Sequence, residues 1–292
     1  MIIVKLMGGM GNQLFQYAIG RSLAIRNESE FKMDILGYAD QGELLTPRLY
    51  ALNIFSVQEN FASEKEIEKL KSNTSGSVVL ALQRFGFFKK SNSFVIEPHF
   101  NFSSEILESG NNIYLQGYWQ TEKYFKDVED VIRKEFTLKE KFSIEEKEIT
   151  KEIKNSNAVS LHIRRGDYVS SATTSKFHGI CSLDYYEKAV RHIAEKTENP
   201  VFYIFSDDIA WVKENLKIDF PTKYVSDGIL KDYEELTLMS YCKHNIIANS
   251  SFSWWGAWLN ANPEKIVIAP KQWFADQSVN TSDVVPETWV KM

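Results

Sequence analysis

Two cysteines, Cys181 and Cys242, are all that the 292 residues contain. They exclude a disulfide framework and offer no metal-ligand spacing, so a reducing cytoplasm is the simplest compartment. An excess of basic charge is also missing: the net charge is −5. That excludes nucleic acid as the main partner, which would call for a basic face. Any anionic ligand must therefore be held by a local positive site. No apolar run approaches the ~20 residues of a membrane span. The opening Met1-Ile2-Ile3-Val4-Lys5-Leu6 lacks the basic leader of a signal peptide. No fixed-period repeat is present. What the chain does hold is 43% hydrophobic and 13% aromatic residues, enough for packed cores in one large domain or two of ordinary size.

Ile2 to Leu6 reads as a buried strand, Gly8-Gly9-Met10-Gly11-Asn12-Gln13 as a turn, and the apolar positions from Leu14 to Ala24 as a helix. Phe31 to Ile35 would be the second strand of a Rossmann-like unit. A nicotinamide dinucleotide site would need a third glycine where Leu14 stands, with Asp34 as its ribose ligand, and a leucine there blocks close helix packing. An alternative remains: the helix N-terminus, with the Asn12 and Gln13 side chains, facing a cleft and binding polar ligand atoms. Residues 37 to 60 read as loop with short elements, and Ser63 to Ser72 as an amphipathic helix followed by a breaker run. Ile113 to Gln120 runs out into a polar-aromatic turn, where Gln116, Tyr118 and Trp119 form either a carbohydrate face or ordinary core. A helix is expected from Glu122 to about Glu135. Between Lys139 and Asn157 the composition turns charged and polar, which marks a domain boundary and predicts domains over 1–155 and 156–292.

The second half alternates regularly. Strand-type runs at Ala158–Ile163, Val201–Phe205, Thr222–Val225, Asn245–Ala248 and Lys265–Ala269 are separated by helical patterns at Leu183–Thr197, Ile209–Leu216, Asp232–Cys242 and Ser251–Leu259. This is the signature of a parallel, doubly wound sheet. Residues just past such strands share one rim. Here they are Arg164, Arg165 and Asp167; Ser206, Asp207 and Asp208; and Asn249, Ser250, Ser251, Phe252 and Ser253. Paired guanidiniums suit phosphate, or else form a structural ion pair. A serine-rich helix start suits a diphosphate, or else simply caps the helix. Asp207 and Asp208 have three readings: a Mg²⁺ site, hydrogen-bond acceptors for ribose or guanine, or a helix cap.

Together these motifs resemble the α-1,2-fucosyltransferases, especially bacterial members that decorate surface polysaccharides. The family's His-x-Arg-Arg-x-Asp stands at His162 to Asp167, its Gly-Gly-x-Gly-Asn-Gln-x-Phe-Gln-Tyr-Ala at Gly8 to Ala18, and its Asn-Ser-x-x-Ser-Trp-Trp at Asn249 to Trp255. Gly117-Tyr118-Trp119-Gln120 and Pro270-Lys271-x-Trp273 are further similarities. The resemblance implies an α/β GT-B fold, two Rossmann-like domains with parallel sheets facing a cleft. It implies inverting transfer of L-fucose from GDP-β-L-fucose to the 2-hydroxyl of a terminal β-galactose, without cofactor or metal. The second domain would bind GDP-fucose through Arg164, Arg165, Ser206, Asp207, Asp208, Asn249, Ser250, Ser251 and Phe252. The first would hold the acceptor through Gln13, Gln116, Tyr118 and Trp119. Arg164, His162, Asp167 and Asn12 are the expected catalytic group, with the general base left open. A bacterial cytoplasmic enzyme, with peripheral contact to the inner membrane left open, fits the missing anchor. A non-catalytic nucleotide-sugar-binding protein and an NAD(P)-dependent oxidoreductase are the alternatives.

Overall fold

The computed structural model describes residues 1–39, 47–72, 93–166, 179–226 and 228–292. Two compact units divide it: Met1–Lys139 with Ser282–Val284, and Glu140–Thr281 with Val285–Met292. The partition falls at the head of the charged segment, not at residue 155. The reason is that Thr150 and Ile153, on the helix over Glu148–Lys154, are buried in the second unit.

The first unit runs β1 (Ile2–Lys5), α1 (Met10–Arg26), β2 (Phe31–Asp34), α2 (Glu64–Ser72), β3 (Phe94–Ile96), α3 (Ser104–Leu107), β4 (Ile113–Gln116) and α4 (Glu129–Glu135). Its sheet is wholly parallel, in the order β2-β1-β4-β3. Alternation of side chains along β1 sends Ile3, with Tyr114 of β4, against Ile67 and Leu70 of α2. The fully buried Leu14, Phe15 and Ala18 face inward from α1. Burying side chains of this size contributes roughly 1.5–3 kcal/mol each. Glu135 on α4 would be costly inside, but it accepts from the Tyr17 hydroxyl at 2.7 Å and pairs with Arg21 at 3.0 Å, so the carboxylate is satisfied. The helix expected from Glu122 opens instead as two 3₁₀ turns, interrupted at Phe125, whose φ of −137° is not helical.

The second unit runs α5 (Glu148–Lys154), β5 (Asn157–Ile163), α6 (Leu183–Ala194), β6 (Pro200–Ser206), α7 (Ile209–Asn215), β7 (Thr222–Tyr224), α8 (Asp232–Tyr241), β8 (His244–Ile246), α9 (Ser251–Leu259), β9 (Val267–Ala269) and β10 (Val290–Lys291). The order β10-β9-β8-β5-β6-β7, all parallel, is that of a Rossmann sheet, with β5 as its first strand. On one face Val159, Leu161 and Ile163 pack with Tyr186, Ala189 and Val212 from α6 and α7. Toward the other, Asn245 donates to the Ser160 hydroxyl at 2.7 Å and to the Met239 carbonyl at 2.8 Å. A Cβ on Gly256 would stand 2.8 Å from the Met239 Cβ, so that glycine is what lets α8 and α9 approach.

Each sheet has one point where successive connections depart in opposite directions, between β1 and β4 in the first unit and between β5 and β8 in the second. Ligands of parallel sheets bind at the carboxyl ends of the strands flanking such a point.

Candidate active site

In the second unit the register pairs Ile163 with Ser206 and Leu161 with Ile246, so the three polar segments leave neighbouring strands along one edge. Arg164 Nη1 lies 3.0 Å from Asp207 Oδ2, while Asp207 Oδ1 accepts the Arg165 backbone N–H at 2.8 Å. Gly166 makes this possible, since a Cβ there would stand 2.5 Å from Asp207 Oδ2. Arg165 is held differently. Its Nε meets Asp208 Oδ2 at 3.2 Å and its guanidinium lies over the Trp211 ring at 3.5 Å. Asp208 in turn caps α7 by accepting from Trp211 N–H at 3.2 Å, and its own N–H donates to the Ser206 hydroxyl at 3.0 Å. Arg165 is thus a bracing ion pair with its side chain 14% exposed, whereas that of Arg164 is 26% exposed. Both aspartates spend their carboxylates on arginines, a backbone N–H or a helix end. Among the described residues no three His, Cys, Asp or Glu side chains are grouped as a metal site would require.

Across the switch point, Ser250 caps α9 by accepting from Phe252 N–H at 3.3 Å. The cap serves one first-turn donor, and the remaining N–H groups of that turn lie at the positive end of the helix. His162 is the penultimate residue of β5, 5% exposed, with its ring 5.8 Å from that of Phe252 and its buried Nδ1 without a hydrogen-bond partner among the described residues. Burial, reinforced by the Arg164 charge, pulls its pKa down to about 3. The ring is therefore neutral at physiological pH, able to hydrogen-bond and a poor acceptor of a proton from a hydroxyl. Asn249, expected from the sequence to bind the donor, has its amide N–H groups engaged within the protein. It is 3% exposed and donates to Trp273 O at 3.1 Å and Gly179 O at 3.3 Å, bracing the loop ahead of α6. It also lines a cavity of about 380 Å³ together with Cys181, Tyr185, Lys271, Phe274 and Met292. Burial pushes the Cys181 thiol up to about 11, so it is inert as a nucleophile. Asp167 lies outside the described residues.

At the first unit's switch point two turns meet. Gly8 has φ +76°, and a Cβ on it would stand 2.6 Å from Asn12 Nδ2. Asn12 Oδ1 accepts from Gln120 Nε2 at 2.9 Å. Gln16, to which the sequence reading gave no role, is fully buried and joins the turns: its Oε1 accepts Met7 N–H at 2.9 Å and its Nε2 donates to Gly117 O at 3.1 Å. Gln13 is corrected. It points inward, donating to Gly8 O at 3.1 Å and Leu49 O at 2.8 Å and accepting from Ala51 N–H at 2.8 Å, which engages both amide N–H groups and the oxygen within the first unit. Trp119 is corrected too: it is fully buried, edge-on to Tyr124 at 5.7 Å, and serves as core. Its φ of +57° is strained for a bulky residue, at a cost of roughly 1–3 kcal/mol that indole burial offsets. Gln116 shares a sheet face with Tyr114, the α2 side, by the pleat of β4. Tyr118 is 36% exposed and stacked on Phe100 at 6.0 Å and 22°.

One residue of this rim escaped the sequence reading altogether. Glu97 follows β3, and its carboxylate accepts Tyr118 N–H at 2.6 Å and Trp119 N–H at 2.9 Å. Burial raises its pKa to about 7 against those two bonds. The available signal was an apolar triplet, Phe94-Val95-Ile96, ending in an acid.

Comparison with known proteins gives these residues a context. Residues 61–292 match the family described as Glycosyl transferase family 11. The chain is 36% identical to an α-1,2-colitosyltransferase of Escherichia coli, over 100% of this chain and 98% of that one. It is 34% identical to the O-antigen biosynthesis glycosyltransferase WbnK of the same species, over 98% and 99% of the two chains. A galactoside α-(1,2)-fucosyltransferase 1 of Leontocebus fuscicollis is 25% identical over 56% of this chain and 48% of its own. Among solved structures, a NodZ α-1,6-fucosyltransferase soaked with GDP-fucose matches with a TM-score of 0.50 over 95% of each chain at 13% identity. That likeness shows the fold, which is GT-B. Among the described residues no helix is long and apolar enough to cross a membrane.

Proposed function

The chain belongs to glycosyl transferase family 11, and from that premise we propose that it transfers L-fucose from GDP-β-L-fucose to the 2-hydroxyl of a terminal β-galactose, with inversion, in surface polysaccharide synthesis. The observation that carries the reading is the edge at β5 and β8, where a partly exposed arginine, a neutral buried histidine and a serine-capped helix start come together. Such a set suits a nucleoside diphosphate. The choice of fucose rests on the sequence motifs and on the names of the relatives.

In this account the galactose hydroxyl attacks the anomeric carbon opposite the departing GDP, and negative charge grows on the β-phosphate. Arg164, aimed by Asp207, stabilises that charge, and one well-placed donor of this kind is worth roughly 3–4 kcal/mol. The α9 start holds the diphosphate from the other strand. His162 Nδ1, buried without a partner among the described residues, supplies a neutral hydrogen bond to a ligand oxygen. Arg165 and Asp208 keep the segment in place. On the first unit, Asn12 orients the acceptor hydroxyl and Tyr118 offers a ring to the apolar face of the sugar. No described side chain is assigned as base, in keeping with a loose, oxocarbenium-like transition state.

A second donor is favoured by one observation, the colitosyltransferase relative that matches the whole chain. The test is to incubate purified protein with lactose and either GDP-fucose or GDP-colitose, with EDTA present, and to measure GDP release and product linkage. An α-1,2-fucosylated product is expected. Transfer from GDP-colitose alone would overturn the donor assignment, and a strict requirement for added Mg²⁺ would overturn the metal-free mechanism.

A further inference from the structure

The side chain of Glu97 folds over Gly117, where any Cβ would collide with the Glu97 Cβ and stand 2.8 Å from both Glu97 Oε2 and Trp119 Cε2. Its backbone N–H continues the β3–β4 ladder by donating to Gln116 O at 2.9 Å, so the residue is anchored at both ends. The two carboxylate oxygens accept from two successive N–H groups, Oε2 from Tyr118 and Oε1 from Trp119. An amide could not do the same, because its nitrogen end would face a donor. The consequence is a fixed division of labour in the turn. Trp119 is forced into the left-handed region and buried, while Tyr118 is turned outward onto Phe100.

We infer that Glu97 is a positioning residue for the acceptor: its carboxylate locks the 117–119 turn so that the Tyr118 ring is presented to a galactoside. The inference rests on the proposed function above. The titratable groups acting on or acted on by Glu97 are the Tyr118 and Tyr124 phenols, both raised by burial and by the Glu97 charge itself, with Asp283 adding to Tyr124. Both stay protonated near neutrality, which leaves Glu97 as the member of the group that titrates there. When it gains a proton the turn loses its doubly accepting clamp, and the platform loosens.

The test is steady-state transfer to a galactoside between about pH 5.5 and 8.5, for the unmodified protein, Glu97→Gln and Tyr118→Ala. Glu97→Gln should raise the acceptor KM about tenfold, the scale of one lost hydrogen bond to a charged group, and leave the GDP-fucose KM within about twofold. In the unmodified protein the acceptor KM should rise as pH falls through about 7. That rise should be absent from both variants. Should Glu97→Gln not fold, Tyr118→Ala carries the test alone, because it must abolish the pH dependence with Glu97 intact. An unaltered acceptor KM in Glu97→Gln, or an equal change in the donor KM, would overturn the inference. So would a pH dependence that survives Tyr118→Ala. Failure of the unmodified protein to fucosylate any galactoside is a different result, and it would overturn the functional reading beneath.

Discussion

The two switch points solve opposite problems with the same backbone geometry. In the second unit the rim is ionic, and its charges are paired before any ligand arrives: Arg164 with Asp207, and Arg165 with Asp208. In the first unit the turns are joined by amides, Gln16 to Met7 and Gly117 and Gln120 to Asn12, with an aromatic ring outside and one carboxylate turned inward. A diphosphate brings charge that must meet fixed cations, and cations that stand ready need carboxylates to hold them in place. A neutral sugar brings hydroxyls and an apolar face, for which amides and a ring suffice. The pairing at one rim and the amide lacing at the other are what the proposed difference in ligand chemistry would select.

The comparison breaks most sharply at Arg164. Arg164→Ala should lower kcat by about 10²–10³-fold, the scale of roughly 3–4 kcal/mol lost at the transition state, while the thermal melt shows a folded protein. Near-normal turnover would remove it from the leaving-group role.

His162 offers a thermodynamic test of the same rim. Its folded pKa of about 3 lies below the ordinary histidine value of 6.5, so the folded state binds fewer protons and stability falls as pH drops from about 6.5 toward 3. Denaturant unfolding at about pH 7.5 and 4.5 should show this loss, about 2–3 kcal/mol from His162 alone, and His162→Phe should be shallower by that amount. An unchanged slope would mean the ring is solvated.

The smallest effect is expected from the first rim's lacing. Gln16→Leu leaves Met7 N–H and Gly117 O without their partner, costing about 2 kcal/mol in unfolding free energy. Acceptor KM should rise while donor KM stays put, and a change in donor KM alone would deny that the two rims have separate tasks.

Strands β5 to β9 of the second unit and the helices between them were legible because their apolar runs are four to six residues long and separated by helical spacing. The short β3 and β10, of three and two residues, carry no periodicity to detect. The position of the ionic rim was legible for a related reason, since its charges follow directly on apolar runs that end at one sheet edge. What could not be read was which way a polar side chain turns. Gln13 and Asn249 stand in motifs that invite a ligand. Yet Gln13 is spent on Leu49 and Ala51, and Asn249 on Gly179 and Trp273, partners 24 to 70 residues away whose nearness only the fold creates. Trp119 followed the same logic: its neighbour Tyr118 reaches the surface, and the left-handed backbone between them decides which does. Glu97 was missed because its importance lies in two backbone N–H groups about 20 residues along, and backbone donors leave no mark in a sequence.

Calorimetric titration of GDP into the unmodified protein, Arg164→Ala and Tyr118→Ala tests the separation of charge from carbohydrate most directly. GDP should bind the unmodified protein and Tyr118→Ala alike and bind Arg164→Ala at least about tenfold more weakly, as expected for loss of one charge-assisted contact. Equal binding by all three proteins, or weakening confined to Tyr118→Ala, would contradict the assignment of the diphosphate to the rim at β5 and β8.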